Sequence, residues 1–137
     1  MSIESNPKEI RWKQRFQNFK KAYGQLNDAI SKLNTLSPLE KEGAVHRFEY
    51  TFELGWKTLK DFLESKNVEV KFTRDVIKES FKTELLDDGE IWLEMVEKRN
   101  MMSHTYDEVI FRSVLNDIES RYFDQLKKIY VLFKSQL

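Results

Sequence analysis

The chain is 137 residues long, enough for one domain with a single core. Its apolar fraction of 40% and charged fraction of 34% favour helices that present one solvated face; 23 basic and 23 acidic residues cancel, so no global field draws nucleic acid or an anionic membrane, and any RNA or nucleotide contact must be local. The absence of cysteine excludes disulfides, thiolate metal sites and a cysteine nucleophile together. No uncharged apolar run approaches the ~20 residues needed to span a bilayer. The polar start MSIESNPKEI lacks the apolar centre of a signal peptide, so the chain reads as cytoplasmic, with no membrane contact.

Four glycines and two prolines punctuate the chain, and no alternation of apolar and polar residues lasts long enough for a strand. Residues 1–7 are expected to form a flexible tail. From Lys8 to Asn34, the apolar residues Trp12, Phe16, Phe19, Tyr23, Leu26, Ile30 and Leu33 alternate steps of four and three, a heptad seam that suits packing on a second long helix. That helix is announced by SPLE: Ser37 as N-cap, Pro38 at the first helical position and Glu40 closing a capping box. Val45, Phe48, Phe52, Trp56, Leu59 and Phe62 or Leu63 then share one face up to about Ser65. This aromatic series reads as core or dimer surface.

KNVEVKF reads as a connection. Thr73 is the expected cap of a short third helix with Val76, Ile77, Phe81 and Leu85 inward, and DDG at Asp87 to Gly89 separates it from a fourth carrying Ile91, Trp92, Met95 and Val96. A long closing helix carries Ile110, Val114, Ile118, Tyr122, Leu126, Ile129 and Phe133. The expected fold is all-α, one domain over 1–137, built as an up-and-down antiparallel bundle of about five helices.

Between the last two helices lies EKRNMMSHTYDEV, where an arginine, an asparagine, a histidine and a tyrosine crowd into Arg99 to Tyr106. Thr105 and Glu108 have capping-box spacing, which predicts Thr105 as N-cap, Tyr106 as the first helical residue and His104 just before it. First-turn N–H groups at Thr105 and Tyr106 would then favour an anion, and Arg99 on the preceding helix would add a bidentate phosphate contact. On an unbroken helix Arg99 and His104 would point about 140° apart; a break lets them converge. His104 is then a candidate general base or acid, with Arg99 steadying the charge that develops on phosphorus. No metal ligand set or cofactor is required.

The same residues also suit a structural role, with the arginine in an ion pair and the histidine capping a backbone group. His46, the other histidine, reads as structural beside the apolar seam, so a second protomer is the natural source of a partner acid or base. Glu49, Glu53 and Lys57 recur at intervals of four as a solvated ion-pair row, from which a carboxylate such as Glu53 can also support His104. Met101 and Met102 read as packing.

RNMMSHTY resembles the R-x4-H-x-Y signature of HEPN-domain proteins, specifically HepT-type toxins and the closely related nucleotidyltransferase substrate-binding proteins. RFEYTFELGWKTLKDFLE, from Arg47 to Glu64, resembles that family's second helix, and TRDVIKESF its third. The resemblance implies a homodimeric bundle with its motifs at a shared cleft, and a minimal nucleotidyltransferase encoded by a neighbouring gene. It implies a metal-independent ribonuclease toxin with Arg99 and His104 catalytic, Asn100 supporting them, and Tyr106 AMPylated by the partner. It equally admits a non-catalytic subunit that binds a nucleotide or substrate for the partner enzyme.

Overall fold

The structure, a computed structural model, describes residues 6–102 and 107–137. Among these, helices α1 (Pro7–Ser31), α2 (Pro38–Ser65), α3 (Thr73–Lys82), α4 (Gly89–Met102), α5 (Glu108–Asp117) and α6 (Phe123–Gln136) succeed one another without a strand. A π turn, Ile118–Tyr122, joins α5 to α6, so five rods form the bundle. Helix α1 begins at Pro7, inside the stretch expected to be a tail, because the Asn6 side chain accepts the Lys8 N–H at 2.9 Å. It gives way to a 3₁₀ turn at Leu33–Thr35.

The α2 start is as predicted: Glu40 N–H donates to Ser37 Oγ at 3.1 Å, and Ser37 N–H to Glu40 Oε1 at 2.8 Å. At its other end α2 stops in a Schellman motif, with Asn67 N–H donating to the Glu64 carbonyl and Val68 N–H to that of Leu63. Asn67 takes the left-handed φ of 65° that this stop requires.

An ion pair and a side-chain hydrogen bond fix the direction of α1 against α2. Arg15 Nε donates to the buried Asp61 at 2.9 Å, while Arg47 Nη1 donates to the Gln25 carbonyl at 2.8 Å, so the two helices run antiparallel. Helix α6 lies antiparallel to α1 in turn, with Trp12 against Phe133 at 5.5 Å and Tyr23 against Phe123 at 5.2 Å. The three meet at Gly55. A Cβ there would stand 3.2 Å from both Phe19 and Ile129, so the helix axes approach only because that side chain is missing. Phe16, Phe19, Phe48, Phe52, Trp92 and Tyr122 fill the centre with no appreciable exposure.

Two expectations for α3 are corrected. Phe72, not Thr73, occupies the N-cap position, without a side-chain cap, and Thr73 is the first helical residue. Phe81, expected inward, is 53% exposed and lies against Gly89, whose Cβ would meet it at 3.2 Å. Val76, Ile77 and Ser80 set the buried face of α3 and Phe81 falls at its edge; the helix then ends in a second Schellman stop, with Glu84 N–H donating to the Phe81 carbonyl and Leu85 N–H to that of Ser80, and the chain beyond it buries Leu86. Glu84 holds a φ of 65° without being glycine. The left-handed conformation costs an L-residue about 1 kcal/mol, so Glu84→Gly is expected to raise stability by up to about 1 kcal/mol, read from the midpoint of a urea melt.

The closing helix, expected unbroken, widens at its π turn, where Phe123 N–H reaches back to the Ile118 carbonyl. Arg121 and Tyr122 both engage Glu94 of α4 from this turn: Arg121 binds its carboxylate bidentately at 2.8 and 2.9 Å, and the buried Tyr122 hydroxyl donates to Glu94 Oε2. The hydrogen bonds from Arg121, then from Tyr122, hold the Glu94 carboxyl below the usual range, while burial and then Glu94 push the Tyr122 phenol far above its own. A carboxyl lowered in the folded state adds stability above its unfolded pKa, and that stability is lost as pH falls through the folded value. Glu94→Gln should therefore cost about 1 kcal/mol at neutral pH, after discounting for its partial exposure. The cost should vanish in acid, as paired urea melts would report.

Candidate functional site

Arg99 lies on the last turn of α4, where the buried Trp92, Met95 and Val96 fix which way the helix faces. Its guanidinium is gripped on several sides. Nη1 donates to Glu53 Oε2 of α2 at 2.6 Å, Nε and Nη2 donate to Asn100 Oδ1 at 3.3 and 3.2 Å, and the plane sits 5.5 Å above the buried Phe52 ring. The side chain is 23% exposed, which leaves part of the fork facing solvent. Lys57 approaches the other Glu53 oxygen at 3.8 Å, so two cations share one carboxylate and the site keeps a net positive charge. Glu53 thus belongs to the site as a partner of Arg99. The sequence signal for it was the four-residue spacing of Glu49, Glu53 and Lys57.

His104, Thr105 and Tyr106 lie outside the described residues. What flanks them corrects one expectation. Helix α5 starts at Glu108 with Asp107 as its N-cap, and Asp107 Oδ1 accepts the N–H groups of Val109 at 2.8 Å and Ile110 at 3.2 Å. The described helix thus begins two residues later than the spacing suggests, with Asp107 as its cap. Carboxylates rank above threonine at this position, and the Thr105–Glu108 pattern hid that competitor. The first-turn N–H groups of Val109 and Ile110 in the described helix are thus engaged by the Asp107 carboxylate, and Arg99 is the described cation nearest the motif in sequence.

A groove of about 1030 Å³ opens beside this segment, between the start of α2, the end of α4 and α5, with Val45, Met102, Phe111 and Leu115 on its apolar floor. Its rim is acid-rich: Glu42, Glu49, Asp107, Glu108 and Glu119 outnumber Lys41 and Arg112. Burial raises the Glu49 carboxyl above the usual range, opposed by His46, whose Nδ1 is 3.9 Å away. Sequence spacing placed Glu49 in a solvated row and did not reveal this half-buried setting. His46, beside the apolar seam, has a side chain 77% exposed at the groove and edge-on to Tyr50. Met101 and Met102 pack against the core as expected. Among the described residues, no three potential metal-ligating side chains converge.

The sequence of residues 14–135 matches the family described as nucleotidyltransferase substrate binding protein like. A curated relative from Haemophilus influenzae, described as a probable ribonuclease HepT, is 30% identical over 71 residues, 48% of this chain and 49% of the relative. That match therefore spans about half the relative's length. A crystal structure of a protein from Thermus thermophilus superposes with a TM-score of 0.74 at 31% identity, covering 81% of this chain and 94% of the other. With a helical bundle of the same fold and a family match over most of its length, the chain belongs to the nucleotidyltransferase substrate-binding protein-like family.

Proposed function

We propose that this protein is a HEPN-type ribonuclease toxin of a two-gene pair, working without a metal as a homodimer. A partner minimal nucleotidyltransferase encoded nearby restrains it by AMPylating Tyr106. The observation that carries this reading is the clamp on Arg99: a guanidinium fixed by Glu53, Asn100 and the Phe52 face, five residues before His104 and still open to a ligand. The likeness to a probable ribonuclease supports it.

In this mechanism His104 takes the proton from a ribose 2′-OH, whose oxygen attacks the adjacent phosphorus. The P–O5′ bond breaks, giving a 2′,3′-cyclic phosphate and a 5′-OH that receives a proton. Arg99 stabilises the extra negative charge on the phosphoryl oxygens. Glu53 and Asn100 are positioning residues that hold the guanidinium. One histidine per chain at the motif leaves the leaving-group proton to be supplied by a second copy across the dimer cleft. AMP on Tyr106, two positions from His104, would fill the site and repel an RNA phosphate.

The match to substrate-binding proteins over residues 14–135 favours a second reading, a non-catalytic subunit presenting a nucleotide or acceptor to the partner enzyme. The same arginine would bind that phosphate. Purified protein, shown by intact mass to be unmodified at Tyr106, is expected to cleave total RNA and tRNA in EDTA. No cleavage would transfer the assignment to the binding subunit, tested next by nucleotide titration with the partner enzyme. Tyr106→Phe protein should stay toxic when the partner is co-expressed; neutralisation would remove the tyrosine from the model.

A further inference from the structure

The zero net charge conceals a segregated surface. From Ile10 to Asn27, α1 carries five basic residues and no acidic one, and α6 beyond Asp124 carries three and none. Some of these charges are engaged: Arg11 and Arg15 pair with Glu64 and Asp61, and Lys128 with Asp87 and Asp124. Lys13, Lys20, Lys127 and Lys134 are exposed and, among the described residues, form no ion pair.

These four lysines flank one seam. Lys13 and Lys20 are seven residues apart on α1, and so are Lys127 and Lys134 on α6, which puts each pair on one side of its helix about 10 Å apart. The antiparallel contacts Trp12–Phe133 and Tyr23–Phe123 bring Lys13 level with Lys134 and Lys20 level with Lys127. Between them Tyr23 stacks on Phe123 at 5.2 Å and on Tyr130 at 4.7 Å, all three half-buried. Lys134 Nζ lies 5.8 Å from the Tyr130 ring and Lys13 Nζ 5.9 Å from Trp12. Among the described residues, carboxylates of these helices beside the seam mark its ends: Glu9, which accepts from Trp12 Nε1, and Asp124, which faces Tyr23.

We propose that the α1–α6 seam is a second binding surface, for the phosphate backbone of single-stranded RNA, holding the strand away from the point of cleavage. The inference rests on the ribonuclease reading. Unpaired cations at regular spacing beside aromatic rings match a polynucleotide, whose phosphates recur and whose bases stack on ring faces. The acid-rich rim of the groove by the motif adds little of that electrostatic affinity, and the lysines of this other face supply it.

The test is fluorescence anisotropy with a labelled, unstructured RNA oligonucleotide over a salt series, using the full chain as His104→Ala so that no strand is cut. Replacing Lys13, Lys20, Lys127 and Lys134 by glutamine should lower the magnitude of the slope of log K against log salt by about 0.7 per lysine, near three in all. Affinity at low salt should fall tenfold or more. Arginine at the four positions should restore both, and glutamine at Lys66, Lys71, Lys78 and Lys82 around α3 should change neither. An unchanged slope, or an equal loss with the α3 set, overturns the proposal. Failure of the unsubstituted chain, prepared separately, to cleave total RNA would instead sink the ribonuclease reading, a result distinct from the binding data.

Discussion

Arg99→Ala should lower RNA cleavage by about 10²–10³-fold, the loss that follows removal of one donor aimed at developing transition-state charge, while leaving the bundle folded. Its fold should survive because Glu53, 35% exposed, keeps Lys57 at 3.8 Å and water around it when the guanidinium is gone. A part-exposed pair contributes at most about 1 kcal/mol to stability. Arg99→Lys keeps the charge but loses the planar fork that meets Glu53 and Asn100 together, so it should recover only part of the rate. His104→Ala should cost about 10²–10⁴-fold as a lost general base. Measured as initial rates on one RNA, undiminished cleavage by Arg99→Ala would remove the arginine from the mechanism.

Phe52→Ala is the substitution expected to harm stability most, by about 3–5 kcal/mol in urea denaturation. The ring is wholly buried, lies 5.7 Å from Trp92 and 6.3 Å from Phe48, and supports the Arg99 guanidinium from below. Truncation leaves a cavity between α2 and α4 that neither rigid helix can collapse to fill. Total stability of a domain this size is about 5–15 kcal/mol, so the variant should sit near the edge of folding. Phe52→Leu refills much of the space and should cost less than half as much. Equal stability of Phe52→Ala and the unsubstituted protein would mean the α2–α4 contact is not packed as described.

The two predictions meet at one place, since the residue under the guanidinium is also a centre of the core. Loss of Phe52 should therefore lower cleavage as well as stability, even at temperatures where the variant is folded, because Arg99 loses the surface that orients it.

The sequence alone determined the helices wherever an apolar stripe was long: α1, α2 and the closing rod were legible from spacing, and the α2 start from Ser37, Pro38 and Glu40. It also carried Arg99, Asn100 and the family likeness, since these are patterns of residue type along the chain. Tertiary structure decided what spacing leaves degenerate. Whether Asp107 or Thr105 capped α5 depended on which side chain the chain path brought to the free N–H groups. The docking of α3 on Val76, Ile77 and Ser80 left Phe81 at the exposed edge, a left-handed Glu84 that no periodicity announces reverses the chain after it, and the Ile118–Tyr122 turn keeps the apolar rhythm while adding a residue to the loop of its hydrogen bonds. The Arg99–Glu53 pair joins residues 46 positions apart. Local sequence fixes backbone propensity and which face of a helix is apolar, whereas the partner of a charged group is set by how helices dock, a consequence of the packing of all of them at once.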